Sequence, residues 1–154
     1  MYNIRTILVP TDFSDWSRSA FAVASDLARA NGAQLSVLHV FPPPIAYGEV
    51  LARRQPNGYE EVLEKEMRDV HPAPADVTVT YRLGEGDAQG LICKLAEDER
   101  CDLIVMGTHG RTGLRRLLMG SIAEHVLRQA PCPVLTVNRP FPIAIAAVAA
   151  TAPA

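Results

Sequence analysis

The chain has 154 residues, of which 48% are hydrophobic, 21% are charged and 6% are aromatic, a composition typical of one soluble globular domain. The formal net charge of −2 excludes the global basic field of a protein that binds nucleic acid or an anionic membrane. No apolar run approaches the roughly 20 residues of a membrane-spanning helix. The N-terminus lacks the layout of a signal peptide, and the three cysteines have no metal-ligand spacing. We therefore expect a reduced, cytoplasmic protein.

Five short apolar runs along the chain predict β-strands. They cover Ile4–Val9, Leu35–Val40, Val77–Leu83, Leu103–Met106 and Val134–Val137. All but the third are nearly continuously apolar, which is typical of parallel strands covered on both faces. The third run alternates between apolar and polar residues, which predicts a more exposed edge strand.

Segments of helical period separate these runs and predict four helices. The first begins after an N-cap at Ser14 and stops at Gly32, and the second covers Val62–Val70. The third follows a candidate N-cap at Asp87, and the fourth covers Ser121–Ala130. The alternation predicts right-handed βαβ units and therefore an α/β fold, a Rossmann-like open parallel sheet with helices on both faces.

Two segments fall outside this alternation. Residues 41–58 contain four prolines and are expected to form an irregular loop over the strand ends. The tail of residues 140–154 is apolar and alanine-rich without an amphipathic period, which favours loose packing or disorder over packing on a partner subunit. We therefore expect one domain over residues 1–139, followed by this tail.

The segment between the fourth strand and the fourth helix, Gly107–Ser121, reads GTHGRTGLRRLLMGS and carries the strongest functional signal. Its glycines allow the backbone to approach a ligand closely, and the N–H groups at the start of the following helix attract an anion. Parallel sheets of this type bind ligands beyond the carboxyl ends of their strands, where this loop lies. The loop therefore predicts a phosphate site. The alternative is a surface turn whose glycines serve backbone geometry alone.

Other polar residues near the strand ends allow two interpretations each. The Asp12 carboxylate is an acceptor that suits ribose hydroxyls or an adenine amine, and alternatively it caps the first helix. His109 either donates to a phosphate oxygen or is simply exposed. The segment Leu83–Gly90 partly matches a dinucleotide fingerprint, but its glycine spacing favours a turn followed by a helix cap. The histidines, of which His39 is expected in the core, form no metal spacing.

Four landmarks resemble the universal stress protein family in their order and spacing. They are ILVPTDFS at Ile7–Ser14, LHV at Leu38–Val40, the signature G-x2-G-x9-GS from Gly107 to Ser121, and APCPVLTV at Ala130–Val137. The resemblance covers residues 3–138. It implies a five-stranded parallel sheet in the order 3-2-1-4-5, ATP binding in many members, and a homodimer formed along the last strand.

The resemblance also implies which positions contact the nucleotide. The adenine and ribose side is expected to comprise Pro10, Thr11, Asp12, Val40, Met106 and Gly107. The phosphate side is expected to comprise Gly110, Arg111, Gly120, Ser121 and Ile122, with Mg²⁺ or Mn²⁺ held by the phosphates. Ala123 departs from the pattern, because some nucleotide-binding members have a hydroxyl at this position.

The function implied by the resemblance is that of an ATP-binding stress-response module whose nucleotide occupancy changes the dimer surface and hence the choice of protein partner. One alternative is a slow ATPase or nucleotidyl-transfer domain of the same fold. Another is a dimeric interaction module that binds no nucleotide. Because the sequence supplies no nucleophile–base pair beside the phosphates, we expect no catalytic residues and at most slow ATP hydrolysis.

Overall fold

The computed structural model describes residues 1–43, 57–110 and 119–141 and contains all nine predicted elements. The strands are β1 (Thr6–Pro10), β2 (Gln34–Phe41), β3 (Val79–Glu85), β4 (Leu103–Gly107) and β5 (Val134–Val137). The helices are α1 (Asp15–Asn31), α2 (Tyr59–Val70), α3 (Ala88–Asp98) and α4 (Ser121–Gln129). Most of the predicted loop over 41–58 and most of the tail lie outside the described residues. Across the described ranges, no helix has the length and apolar character needed to cross a membrane.

The strands form one parallel sheet in the order β3-β2-β1-β4-β5, which confirms the predicted topology. β1 is central and pairs with β2 on one side, where Val9 lies opposite Val37. On its other side β1 pairs with β4, where Ile7 lies opposite Leu103. The strand order reverses between β1 and β4, so the segments that follow these two strands leave the sheet in different directions and open a crevice between them.

Helices cover both faces of the sheet, as predicted. α1 and α2 pack on one face of the sheet, where Ile7 and Val9 of β1 are part of the buried core. α3 and α4 pack on the other face, where Leu8 contacts Ile104 and the helix residues of the second core cluster. Successive side chains of a strand point to opposite faces, so a strand covered on both sides must be apolar throughout. This requirement explains the continuous apolar run of β1.

The predicted helix caps are present. The Ser14 side chain accepts a hydrogen bond from the Ser17 amide at 3.3 Å, and α1 ends at Gly32, whose φ is +64°. Asp87 accepts a hydrogen bond from the Gly90 amide at 2.8 Å, which confirms the turn and cap expected in this segment. Both short polar side chains satisfy amides that have no partner inside the helix.

β5 has helices on both faces, as predicted, since Val137 belongs to the core cluster on the α1 side and Val134 packs against the cluster on the α3 and α4 side, but β5 is less buried than the other continuously apolar strands. Three of its four residues are half-buried, and Val137 alone is buried. β5 lies at the edge of the sheet, beside β4 only, so its outer side has no neighbouring strand among the described residues. The second helix also begins earlier than predicted, at Tyr59 rather than Val62.

One fully buried histidine, His71, was not predicted as a core residue. It follows the last residue of α2, its exposed fraction is 0%, and its ring centroid lies 5.0 Å from that of Phe21. Tyr81 on β3 donates a hydrogen bond to its carbonyl oxygen at 2.6 Å. Burial, with a smaller contribution from the charge of Arg18, lowers the pKa of His71 to about 4, although the Asp12 carboxylate opposes the shift. The imidazole is therefore neutral at neutral pH.

We expect acid to weaken the fold through His71. The unfolded side chain binds a proton near pH 6.5, whereas the folded one resists protonation, so the free energy of unfolding falls as the pH drops through this window. The contribution of His71 to the free energy of unfolding declines by about 3 kcal/mol as the pH falls from about 6.5 to about 4. Urea unfolding of the wild type and His71→Gln at several pH values measures this, and the difference between them should shrink towards acid. A difference independent of pH would contradict the prediction.

Candidate functional site

A cavity of about 330 Å³ opens at the carboxyl ends of the central strands, on the α3 and α4 side of the sheet. Ten of the eleven predicted nucleotide contacts line this one cavity: Pro10, Thr11, Asp12, Val40, Met106, Gly107, Gly110, Gly120, Ser121 and Ile122. The eleventh, Arg111, lies outside the described residues. The structure therefore brings together positions that are up to 112 residues apart in the chain.

The cavity lining also contains residues that the sequence analysis left out of the predicted contacts. They are Ser17, Leu38, Ala88, Ile92, Thr108, His109 and Ala123. Three of these carried a usable signal. Leu38 lies two residues before Val40 in the same strand and so shares its face. Ala88 and Ile92 lie four residues apart in the first turns of α3 and therefore share a helix face. The helix that follows β3 thus forms part of the wall.

One wall of the cavity is apolar. Leu38 projects from β2, Met106 from β4 and Ile92 from α3, all within the core cluster on this face. Their exposed fractions are 5% or less. A flat heteroaromatic ring is the kind of ligand group that such a wall accommodates, because apolar contact with it removes further surface from water.

Another part of the cavity lining is the start of α4. Gly120 is the N-cap of this helix and, as a glycine, supplies no capping side chain. The Gly120 amide donates to the Thr108 carbonyl at 2.6 Å, so this amide fastens the loop rather than facing a ligand. The next amides, of Ser121, Ile122 and Ala123, belong to the first helical turn and have no intrahelical acceptor. N–H groups of this kind, together with the helix dipole, attract anions.

The Asp12 carboxylate lies between the turn after β1 and the loop after β4. Its Oδ1 accepts a hydrogen bond from the Ser14 amide at 3.0 Å. Its Oδ2 contacts Gly110, since a Cβ built on Gly110 would lie only 2.4 Å from it. The helix cap itself is Ser14, so Asp12 stabilises the turn before α1 and also presents its carboxylate to the cavity.

Two histidines near this turn, His39 and His109, form hydrogen bonds within the protein. The carbonyl oxygen of Thr11 accepts a hydrogen bond from His39 Nδ1 at 2.8 Å, and the His39 ring lies 4.3 Å from that of Phe13. His39 is therefore hydrogen-bonded as expected, but it is half-buried rather than a core residue. His109 Nδ1 lies 2.9 Å from Thr108 Oγ1, and its ring packs near Trp16, so His109 is part of the loop structure as well as the cavity lining.

The glycines of the signature have packing roles that differ from one another. A Cβ on Gly107 would lie 2.6 Å from Trp16 Cβ, so this glycine allows α1 to approach β4 closely. A Cβ on Gly120 would lie 3.0 Å from the Thr108 carbonyl oxygen, so this glycine allows the loop to close on itself. Gly110 provides space for the Asp12 carboxylate. The other glycine of the loop, Gly113, lies outside the described residues.

The described residues contain no group of three or more His, Cys, Asp or Glu side chains arranged to hold a metal ion. Asp12 is the only carboxylate among the described residues of the cavity lining. A divalent cation in this cavity would therefore take most of its ligands from the bound molecule or from water.

The sequence model of the universal stress protein family matches residues 3–138. The universal stress protein MJ0531 of Methanocaldococcus jannaschii is 34% identical over 143 residues, which cover 88% of this chain and 83% of that protein. The structure of the hypothetical protein MJ0577 is similar with a TM-score of 0.77 and 31% identity, covering 90% of this chain and 97% of that one. A universal stress protein in complex with cAMP is similar with a TM-score of 0.65 and 25% identity, covering 88% and 98%.

We expect Gly107→Ala to destabilise the fold and Gly110→Ala to change its stability little, although both add the same methyl group. The Cβ at residue 107 would meet Trp16 Cβ, which is fixed to the α1 backbone, whereas the Cβ at residue 110 would meet a carboxylate that can rotate. Overpacking of the first kind costs about 1–3 kcal/mol. Urea unfolding measures both variants, and equal losses of stability would contradict this assignment of the contacts.

Proposed function

Because the chain belongs to the universal stress protein family, we propose that it binds ATP in this cavity and acts as a nucleotide-dependent stress-response module. The single observation that carries the proposal is the start of α4, whose glycine N-cap supplies no capping side chain and which lines the same cavity as the Asp12 carboxylate and the apolar wall. These three features match the phosphates, the ribose or adenine amine, and the adenine ring of a nucleotide. The relative in complex with cAMP supports an adenine nucleotide as the ligand class.

The proposed arrangement assigns each part of the nucleotide to a part of the cavity. The triphosphate lies at the amides of Ser121 and Ile122, where the helix dipole favours negative charge. The nucleoside lies near Asp12 and Val40, because a carboxylate would repel the phosphates but accepts hydrogen bonds from hydroxyl and amine groups. Arg111 is proposed to contact the phosphates, and Mg²⁺ or Mn²⁺ is proposed to bridge them.

We propose binding rather than turnover as the function of this site. Amides and a carboxylate can hold a nucleotide, but rapid hydrolysis also requires an oriented water and a group that stabilises the transition-state charge. A slow ATPase is the alternative. Phosphate release by the purified protein and by Arg111→Ala distinguishes the two, since an ATPase would lose turnover in the variant.

The experiment that tests the proposed function is the identification of nucleotide in the purified protein. Acid extraction of the protein, followed by chromatography, should release an adenine nucleotide, and calorimetry of the stripped protein should give saturable ATP binding. A protein that releases no nucleotide and does not bind added ATP would instead be a nucleotide-independent interaction module.

We expect Asp12→Ala to weaken ATP and ADP binding to a similar degree. Hydrogen bonds to a charged group contribute about 1.5–3 kcal/mol, so the dissociation constant should rise roughly ten- to a hundredfold. The loss should not depend on the γ-phosphate, because the proposed contact lies on the nucleoside. Calorimetry with both nucleotides measures this, and a much larger loss for ATP would place Asp12 near the γ-phosphate instead.

We also propose that the protein forms a homodimer through β5. The Pro133 and Val137 carbonyls accept hydrogen bonds from β4, so the alternate residues Val134 and Thr136 direct their backbone groups to the outer edge. An uncovered edge of this kind readily pairs with a second copy. Beyond β5, the Phe141 amide donates to Ser19 Oγ at 3.2 Å, so the start of the 140–154 tail lies on α1 of its own chain.

Thr136→Pro is expected to convert the dimer to a monomer, because proline removes an outward-facing N–H without breaking a bond to β4. Thr136→Val is the matched control, since it keeps the N–H and should keep the dimer. Light scattering measures the mass of both variants, with circular dichroism as the check on folding. A dimeric Thr136→Pro protein would place the interface elsewhere.

A further inference from the structure

The buried His71 side chain is linked by a hydrogen bond to the turn that carries Asp12. His71 Nε2 lies 2.5 Å from Thr11 Oγ1, and both side chains are buried. Thr11 lines the nucleotide cavity, whereas His71 does not. His71 therefore touches a residue of the site from behind, on the α1 and α2 side of the sheet.

Which of His71 and Thr11 donates in this hydrogen bond follows from where the Ser17 and Thr11 hydroxyl groups donate their single protons. Ser17 Oγ donates its only proton to the Ser14 carbonyl at 2.8 Å. The Thr11 hydroxyl therefore donates its own proton to Ser17 Oγ, at 3.1 Å. A hydroxyl has one proton, so towards His71 the Thr11 oxygen can only accept. His71 is consequently the Nε2–H tautomer, and its Nδ1, which has no hydrogen-bond partner among the described residues, is an acceptor rather than a buried donor.

The Thr11 hydroxyl has no capacity left for a ligand. It donates to Ser17, and its two lone pairs accept from His71 Nε2 and from the Phe13 amide, the latter at 3.1 Å. Thr11 therefore acts in the site through the conformation it imposes on the chain and not through its hydroxyl. This conformation is unusual, because Phe13 has a φ of +65°, a region that a side chain such as phenylalanine rarely adopts.

We propose that His71 is a positioning residue for the nucleotide site, which it serves by holding Thr11 and Phe13 so that the intervening Asp12 carboxylate points into the cavity. The proposal rests on the proposed ATP binding. His71 fixes the hydroxyl of Thr11, and this hydroxyl fixes the amide of Phe13, on either side of Asp12. Without the imidazole donor, the Thr11 hydroxyl is no longer fixed from the end of α2, and the Asp12 carboxylate loses its orientation. Ser17 and His39 also hold this turn, through the Thr11 hydroxyl and the Thr11 carbonyl respectively.

The test compares ATP and adenosine binding by calorimetry in variants that remove or replace the donor. His71→Leu keeps apolar bulk but has no donor, and it should weaken both ligands about three- to tenfold. His71→Gln supplies an amide N–H in place of Nε2–H, and it should restore affinity to within about twofold of the wild type. His125→Leu, in α4 and outside the cavity lining, is the matched control and should bind normally.

Thr11→Val completes a double-mutant cycle and covers the case in which His71→Leu does not fold. Thr11→Val alone should weaken binding, and in its background His71→Leu should cause no further loss, because the bond between the two side chains is already absent. Nitrogen NMR of the imidazole should show the proton on Nε2 in the wild type.

Three results would overturn the inference while the wild type binds ATP. They are normal affinity in folded Thr11→Val or His71→Leu, a Gln variant as weak as the Leu variant, and additive losses in the double variant. A wild type that binds no ATP would instead refute the proposed function, and the positioning role with it.

Discussion

The parallel sheet must be covered on both faces, and this constraint determines where a ligand can bind. Ile7, Leu8 and Val9 of β1 and Ile104 and Val105 of β4 are all fully buried. A polar group in the middle of these strands would be removed from water without a partner and would cost free energy. Polar and charged side chains that act on a ligand are therefore restricted to the residues at which the chain leaves the sheet.

The candidate site is built from the two segments that follow β1 and β4. They lie next to each other because these two strands are neighbours in the sheet. The turn after β1 brings Asp12 against Gly110 of the loop after β4, and the same loop leads into the start of α4, whose N-cap is Gly120. A carboxylate and a set of helix amides thus face one cavity from different sides. Their charges are opposite in sign, so a ligand with both hydroxyl or amine donors and an anionic group suits the cavity better than a simple anion.

The turn after β1 also shows how a site residue is supported from the other face of the sheet. Thr11 shares the strand parity of Ile7 and Val9, so its side chain lies on the α1 and α2 side, away from the cavity wall formed by Leu38 and Met106. The Thr11 hydroxyl makes all of its hydrogen bonds to groups of the protein, namely Ser17, His71 and the Phe13 amide. The contacts that hold Asp12 in place therefore belong to a different layer of the fold from those that surround the proposed nucleotide.

The sequence by itself determined the elements, their order along the chain and the loop that carries the candidate site, because these depend on local patterns. Apolar runs, the caps at Ser14 and Asp87 and the glycine signature each act within a few residues of the chain. The fold class followed from their alternation. The strand order and the individual contact positions came from the family resemblance, and the structure places the described ones in one cavity.

The tertiary structure decided what depends on packing between distant segments. His71 follows the end of the predicted second helix, and it is buried because the end of α2 packs against α1 and β3. The small size of Gly107 is required by Trp16, 91 residues earlier, and the half-burial of β5 follows from its place at the sheet edge. A local pattern contains no information about which residues meet across such separations, because those contacts form only when the layers pack.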